Sequence, residues 1–134
     1  MHFLCLVYAR DAADAPAQAP EDAITEDMIK DQFIEEDRKL FLEGKLVLAS
    51  PLQAPETAVS IRFSKGRRSR TDGPFIETKE HIAGFLVIAA DSLDEAVAIA
   101  SDGPLANFAN YEIRPLLDEK HSRTGEDRSF FFRR

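Results

Sequence analysis

The chain has 134 residues, 44% of them hydrophobic and 31% charged, with a formal net charge of −7 and a single cysteine. That length predicts one domain with a core of its own, and the acidic balance disfavours nucleic acid, which is met by basic surfaces. Cys5 alone excludes an internal disulfide and a cysteine-built zinc site, and fits a reducing cytoplasm.

Residues 3–8 are apolar at every position, the pattern of a strand buried on both faces. Residues 1–8 are too short to cross a bilayer and lack the basic and small-residue marks of a secretory signal. Residues 10–22 read as a loop, because Pro16 and Pro20 oppose a helix through them. Thr25 is an N-cap, with Glu26 and Asp27 complementing the dipole of a helix that runs to about residue 43 and stops at Gly44. Its narrow apolar stripe is Ile29, Phe33 and Leu40. Glu36 falls inside that stripe and Asp37 on its edge.

Residues 45–52 form the next strand, with Pro51 marking an edge or an end. Residues 58–64 alternate, Val59, Ile61 and Phe63 facing one way and Ser60 and Arg62 the other. Lys65-Gly66 is a hairpin turn and residues 67–71 the return strand. Residues 82–90 are apolar on both faces, a central strand, with Gly84 signalling a bulge or a close backbone approach. Ser92 and Glu95 make a capping box for a second helix. Its buried stripe is Leu93, Ala96, Val97 and Ala100, and Gly103-Pro104 ends it. Residues 111–116 are the last strand, Tyr111 and Ile113 inward, Glu112 and Arg114 outward. Residues 117–134 are a polar tail closing on three phenylalanines and two arginines, which the apolar cluster requires to be docked.

The order β-α-β, hairpin, β-α-β predicts a ferredoxin-like α+β layer: a mostly antiparallel sheet with two helices on one face. The first and fifth strands are apolar on both faces. Two helices cover one face, so a second copy of the chain is expected to cover the other, giving a homodimer.

Several side chains are candidates for chemistry. Asp72 caps its own Asp-Gly-Pro turn, or stands at a cleft mouth as a base or ligand anchor. His81 is satisfied locally, or acts as a general acid or base beside Asp72, Glu77 or Glu80. Glu36 pairs with an arginine such as Arg62 or Arg70, or reaches solvent from a rotated stripe, or is a buried acid beside a ligand. Arg62, Lys65, Arg67, Arg68 and Arg70 make a basic hairpin in an acidic chain, either a solvated tip or an anion site in which Arg70 holds a carboxylate. Too few aromatics accompany these charges for a nucleic-acid platform. No metal spacing and no glycine-rich phosphate cradle is present in the sequence, and no cofactor is expected. Cys5 reads as a core thiol.

Thr71-Asp72-Gly73-Pro74-Phe75-Ile76-Glu77-Thr78-Lys79-Glu80-His81-Ile82-Ala83-Gly84 closely resembles the signature of the YCII-related family, in the branch named for Asp-Gly-Pro-Phe. Residues 3–8, Gly44-Lys45-Leu46-Val47, Leu52-Gln53-Ala54-Pro55 and Tyr111-Glu112-Ile113-Arg114-Pro115 are similar to other family segments. The resemblance covers residues 1–116 apart from the loop at residues 10–22, and leaves the tail, 117–134, outside it. It implies a ferredoxin-like fold of the dimeric α+β barrel type, with a cleft between sheets. Most members have no assigned activity, and one is a dehydrochlorinase acting on a chlorinated hydroquinone. A His–Asp pair is proposed in a better-studied branch. The matching aspartate here is Asp102, and the first helix contains no histidine. Two functions follow. One is small-molecule binding in a cleft at a homodimer interface, with lyase-like acid–base chemistry by Asp72 or His81 and Arg70 holding an anionic group. The other is a non-catalytic regulatory or protein-interaction module presenting the hairpin and the tail.

Overall fold

The computed structural model describes residues 1–9, 25–76, 80–103 and 109–133. The loop expected at residues 10–22 lies outside them, as do Glu77 and Pro104. Six strands and two helices follow in order: β1 (His2–Ala9), α1 (Glu26–Leu42), β2 (Leu46–Pro51), β3 (Val59–Ser64), β4 (Arg67–Asp72), β5 (His81–Ala89), α2 (Leu93–Ser101) and β6 (Ala109–Pro115). The main sheet has the order β2-β5-β1-β6 and is antiparallel throughout. Strands β3 and β4 form a separate two-stranded ribbon. With the ribbon set aside, β-α-β-β-α-β in this order is the ferredoxin-like α+β fold.

The helix ends are built as the sequence predicts. Met28 N–H donates to Thr25 Oγ1 at 3.2 Å, capping α1. At the other end Gly44, at φ +76°, lets Gly44 N–H reach Phe41 O and Lys45 N–H reach Leu40 O, a Schellman stop. In α2, Glu95 N–H donates to Ser92 Oγ at 3.1 Å, while Glu95 Oε2 accepts from Asp91 N–H at 2.9 Å. The carboxylate of the capping box thus reaches one residue further back than the N-cap itself.

The core lies between the sheet and the two helices. Phe3, Cys5 and Val7 of β1 meet Leu86 and Ile88 of β5, Leu46 of β2, Leu40 of α1, and Ala96 and Ala100 of α2. Tyr111 and Ile113 pack against this cluster, as expected. The stripe of α2 differs from expectation. Leu93 and Val97 are 45% and 41% exposed, and Ile99 packs on the core beside the alanines. Two small residues let the helix sit close to the sheet, and the buried line turns toward Ile99.

The opposite sheet face carries cross-strand rows Leu48–Val87–Leu4 and Ser50–Phe85–Leu6, with Arg114 and Glu112 at their β6 ends. Among the described residues, no helix packs on this face. Gly84 is expected to signal a bulge or a close backbone approach, and the structure has both. The register of β1 and β5 shifts between Val7 and Tyr8, and β2 approaches Gly84 closely enough that a Cβ there would lie 3.0 Å from Ser50 O.

The tail folds back on the body. Phe132, in a one-turn 3-10 helix (Ser129–Phe132), stacks on His2 with ring centroids 3.7 Å apart. Burial and the nearby N-terminal ammonium hold the His2 imidazole below its usual pKa. Phe130 and Phe131 remain exposed, packed on each other.

Candidate functional site

A groove of about 1060 Å³ opens at the end of the sheet face opposite the helices. Its floor is Tyr8 and Ile82, the last cross-strand pair of that face. One wall is residues 52–58, shaped by a single 3-10 turn (Pro55–Thr57) in which Thr57 Oγ1 donates to Ala54 O at 2.7 Å. The other wall is Asp72, Gly73, Pro74 and Ile76, with Glu80 and His81 at the entry to β5.

The Asp-Gly-Pro turn is held by its neighbours and not by its own carboxylate. Gly73 stands at φ +94°, which a side chain would strain. Its N–H donates to Ala58 O at 2.7 Å, and its carbonyl accepts from Ser60 Oγ at 2.7 Å. Ser60 is the one buried polar side chain among the described residues. Arg62 lies over the Phe75 ring, 4.6 Å from its centroid, and fixes the next residue of the motif. Among the described residues no hydrogen bond engages the Asp72 side chain, which leaves it open at the groove lip. The N–H cap read from the sequence for Asp72 is therefore supplied by Ala58 O, and Ser60 meets the carbonyl instead.

Of the five candidates, the structure brings together two. Asp72, at the end of β4, and His81, the first residue of β5, line the same groove, with no hydrogen bond between them. Arg70 does not line it; it lies on the same ribbon face as Asp72, exposed, opposite Ile61. Glu36 lies away from the groove, half-buried on α1, and forms no ion pair with Arg62 or Arg70. Its neighbour Asp37 is the perturbed acid: burial, then the charge of Glu36, raises its carboxyl above the usual range. Asp102 is the exposed C-cap of α2, its N–H donating to Ala98 O at 3.0 Å. Tyr8, Gln53 and Glu56 were not candidates from sequence, and they line the groove beside Asp72. Glu80 accepts from Asn110 Nδ2 at 2.6 Å, tying the approach to β5 to the start of β6. No set of three or more metal-ligating side chains converges among the described residues. No helix among the described residues is long and apolar enough to cross a membrane.

Fold and groove define a small ferredoxin-like α+β protein with a carboxylate–imidazole cleft at the end of a sheet face on which, among the described residues, no helix packs. The chain belongs to the YCII-related domain family, whose match covers residues 1–120. It is 43% identical over 81 residues to an uncharacterized protein of Rhizobium meliloti (strain 1021), a match spanning 59% of this chain and 65% of that protein. It is also similar to the solved structure of 5-chloro-2-hydroxyhydroquinone dehydrochlorinase from Burkholderia phenoliruptrix AC1100 in complex with 2,5-dihydroxybenzoquinone. That similarity has a TM-score of 0.43 at 18% identity and covers 94% of this chain and 100% of the other.

Proposed function

We propose that this protein binds a small molecule in the groove of Tyr8, Asp72 and His81, which a second copy of the chain closes by covering the open sheet face. The observation that carries the reading is the convergence of Asp72 and His81, from separate strands, on one groove with an apolar floor. Tyr8 and Ile82 belong both to that floor and to the uncovered face, so a subunit on the face would roof the groove. The chemistry available is lyase-like. A base, His81 or Asp72, takes a proton from carbon, and the electron pair expels a leaving group from the adjacent atom. Besides the phenol of Tyr8, the groove's ionisable lining is Glu56, Asp72, Glu80 and His81, with no lysine or arginine among the described residues, so an anionic group on the ligand is met outside it, by Arg70 on the neighbouring ribbon face.

A thermal-shift screen of phenols and small carboxylates tests this. A ligand present at a hundred times its Kd stabilises the folded protein by about 2.7 kcal/mol. The expected result is a shift that Asp72→Asn and His81→Gln abolish, with Arg70→Ala selectively weakening carboxylates. Shifts that persist unchanged in Asp72→Asn and His81→Gln would overturn the assignment. The non-catalytic interaction module is the second reading, favoured by the exposed apolar row on β3.

A further inference from the structure

The groove carries more negative charge than a neutral phenol or a simple carboxylate would call for. Glu56, Asp72 and Glu80 line it, and among the described residues no lysine or arginine does. Carboxylates gathered around one cavity favour a cationic group inside it and disfavour an anionic one. No set of three metal-ligating side chains converges among the described residues, so the geometry suits a hydrogen-bonding ammonium better than a chelated ion. Glu80 is already engaged by Asn110 Nδ2. Asp72, at the lip, is engaged by no hydrogen bond and no ion pair among the described residues.

Beside it stands a cation that is equally unengaged. Arg70 and Asp72 are two positions apart on β4, so they share one ribbon face with their backbones about 7 Å apart. Both are exposed, and among the described residues neither pairs with the other or with a third group. Opposite charges held side by side and unpaired are complementary to a ligand that carries both signs. Their order sets its orientation: Asp72 lines the groove, and Arg70 lies one side chain further out along the ribbon. The positive end of such a ligand enters and the negative end stays at the rim, where the guanidinium can hold it through two hydrogen bonds.

The rest of the lining is apolar, with Leu52, Pro55, Ile76 and Ile82 among it. The wall that carries Asp72 is preformed. Gly73 N–H donates to Ala58 O and Ser60 Oγ donates to Gly73 O, both at 2.7 Å, so little ordering of the chain is needed on binding.

We propose that the groove takes a zwitterion of the α-amino-acid class with an apolar side chain. Its ammonium donates to Asp72, its carboxylate is held by Arg70, and its side chain lies on the floor of Tyr8 and Ile82. This rests on the small-molecule reading above and names the class of molecule that fits the groove.

Isothermal titration calorimetry tests it with L-leucine, L-phenylalanine, N-acetyl-L-leucine, which lacks the ammonium, and L-leucinamide, which lacks the carboxylate. Wild type is expected to bind the free amino acids, and to bind each derivative about fivefold more weakly, the strength of a good exposed ion pair. Asp72→Asn should erase the penalty for acetylation, and Arg70→Ala the penalty for amidation. Both side chains are exposed, and far-UV circular dichroism checks that the variants fold. Penalties that survive both substitutions would overturn the roles of Asp72 and Arg70. A derivative that binds wild type as tightly as leucine would overturn the zwitterion class and leave the groove standing. So would failure of both amino acids in a protein whose phenol or carboxylate shifts depend on Asp72. Failure of every probe, phenols and carboxylates included, would overturn both readings.

Discussion

Replacing Gly84 with alanine tests how β2 is seated on the sheet. Gly84 pairs with Pro51 of β2 and Val7 of β1. A Cβ at this position would lie 3.0 Å from Ser50 O and 3.2 Å from Pro51 Cα. Carbon packs comfortably at roughly 3.5–4.0 Å, so several tenths of an ångström must be found. Both obstacles are backbone atoms, and moving them strains the adjacent Leu52 N–H to Ala83 O bond of 2.8 Å. Two terms oppose. Alanine stiffens the unfolded chain and favours folding by about 0.4–1 kcal/mol. Overpacking costs about 1–3 kcal/mol. The net expectation is a loss of about 1–2 kcal/mol, which lowers Tm by roughly 4–8 °C in a domain of this size. Urea unfolding followed by circular dichroism should show a lower midpoint at an unchanged slope. Gly84→Val should lose more. An alanine variant as stable as wild type would refute the close-approach reasoning.

Ser60→Ala removes the hydroxyl that holds Gly73 O and should cost about 0.5–1.5 kcal/mol, felt first at the ribbon base. Amide exchange at Gly73 should accelerate, and unchanged protection there would mean that Ser60 does not hold the turn. Asp37 has its folded pKa raised by burial and by Glu36, so its ionisation opposes folding, and the resulting loss of stability sets in as pH rises from its unfolded to its folded value. Asp37→Asn should therefore be more stable than wild type at pH 7, by a few tenths of a kcal/mol at this half-exposed position, with the difference vanishing below the ordinary aspartate range. Equal stability at both pH values would contradict the assignment. Cys5 is fully buried and its thiol is pushed up to about 11, so a disulfide reagent at pH 8 should label it only after denaturant is added. Labelling of the native protein at the rate of a free thiol would sink that reading. Ile88→Ala, at a site with no solvent exposure, should cost about 2–5 kcal/mol by denaturant unfolding.

Local rules carried most of the fold. Alternation placed Tyr111 and Ile113 inward and Glu112 outward, and the caps at Thr25 and Ser92 matched side-chain bonds that form. Such features depend on residues a few positions apart, which is what a sequence displays. The buried line of α2 was half legible: Ala96 and Ala100 are buried as expected, while Leu93 and Val97 are exposed, because close packing selects the small residues. Ser60 occupies a position that alternation assigns to solvent; its burial follows from the Gly73 carbonyl, thirteen residues away, which no local pattern reports. The groove was half legible. Asp72 and His81 belong to one signature, while Tyr8, Gln53 and Glu56 join them only through the strand order. Glu36 stood out as an acid in an apolar stripe, yet burial acts more on Asp37, because a helix rotation of one residue decides which carboxylate loses its water.

The interior position of β1 has a consequence for how the protein is made. Phe3 pairs with Ile88 and with Pro115, partners 85 and 112 residues downstream. During synthesis this greasy segment leaves the ribosome with neither neighbour in existence, and the second arrives only after 112 further residues have been made. Sheet closure is thus a late, long-range event, slow by comparison with helical proteins of equal length. Until it happens, the nascent polypeptide is the species most exposed to chaperones and to aggregation.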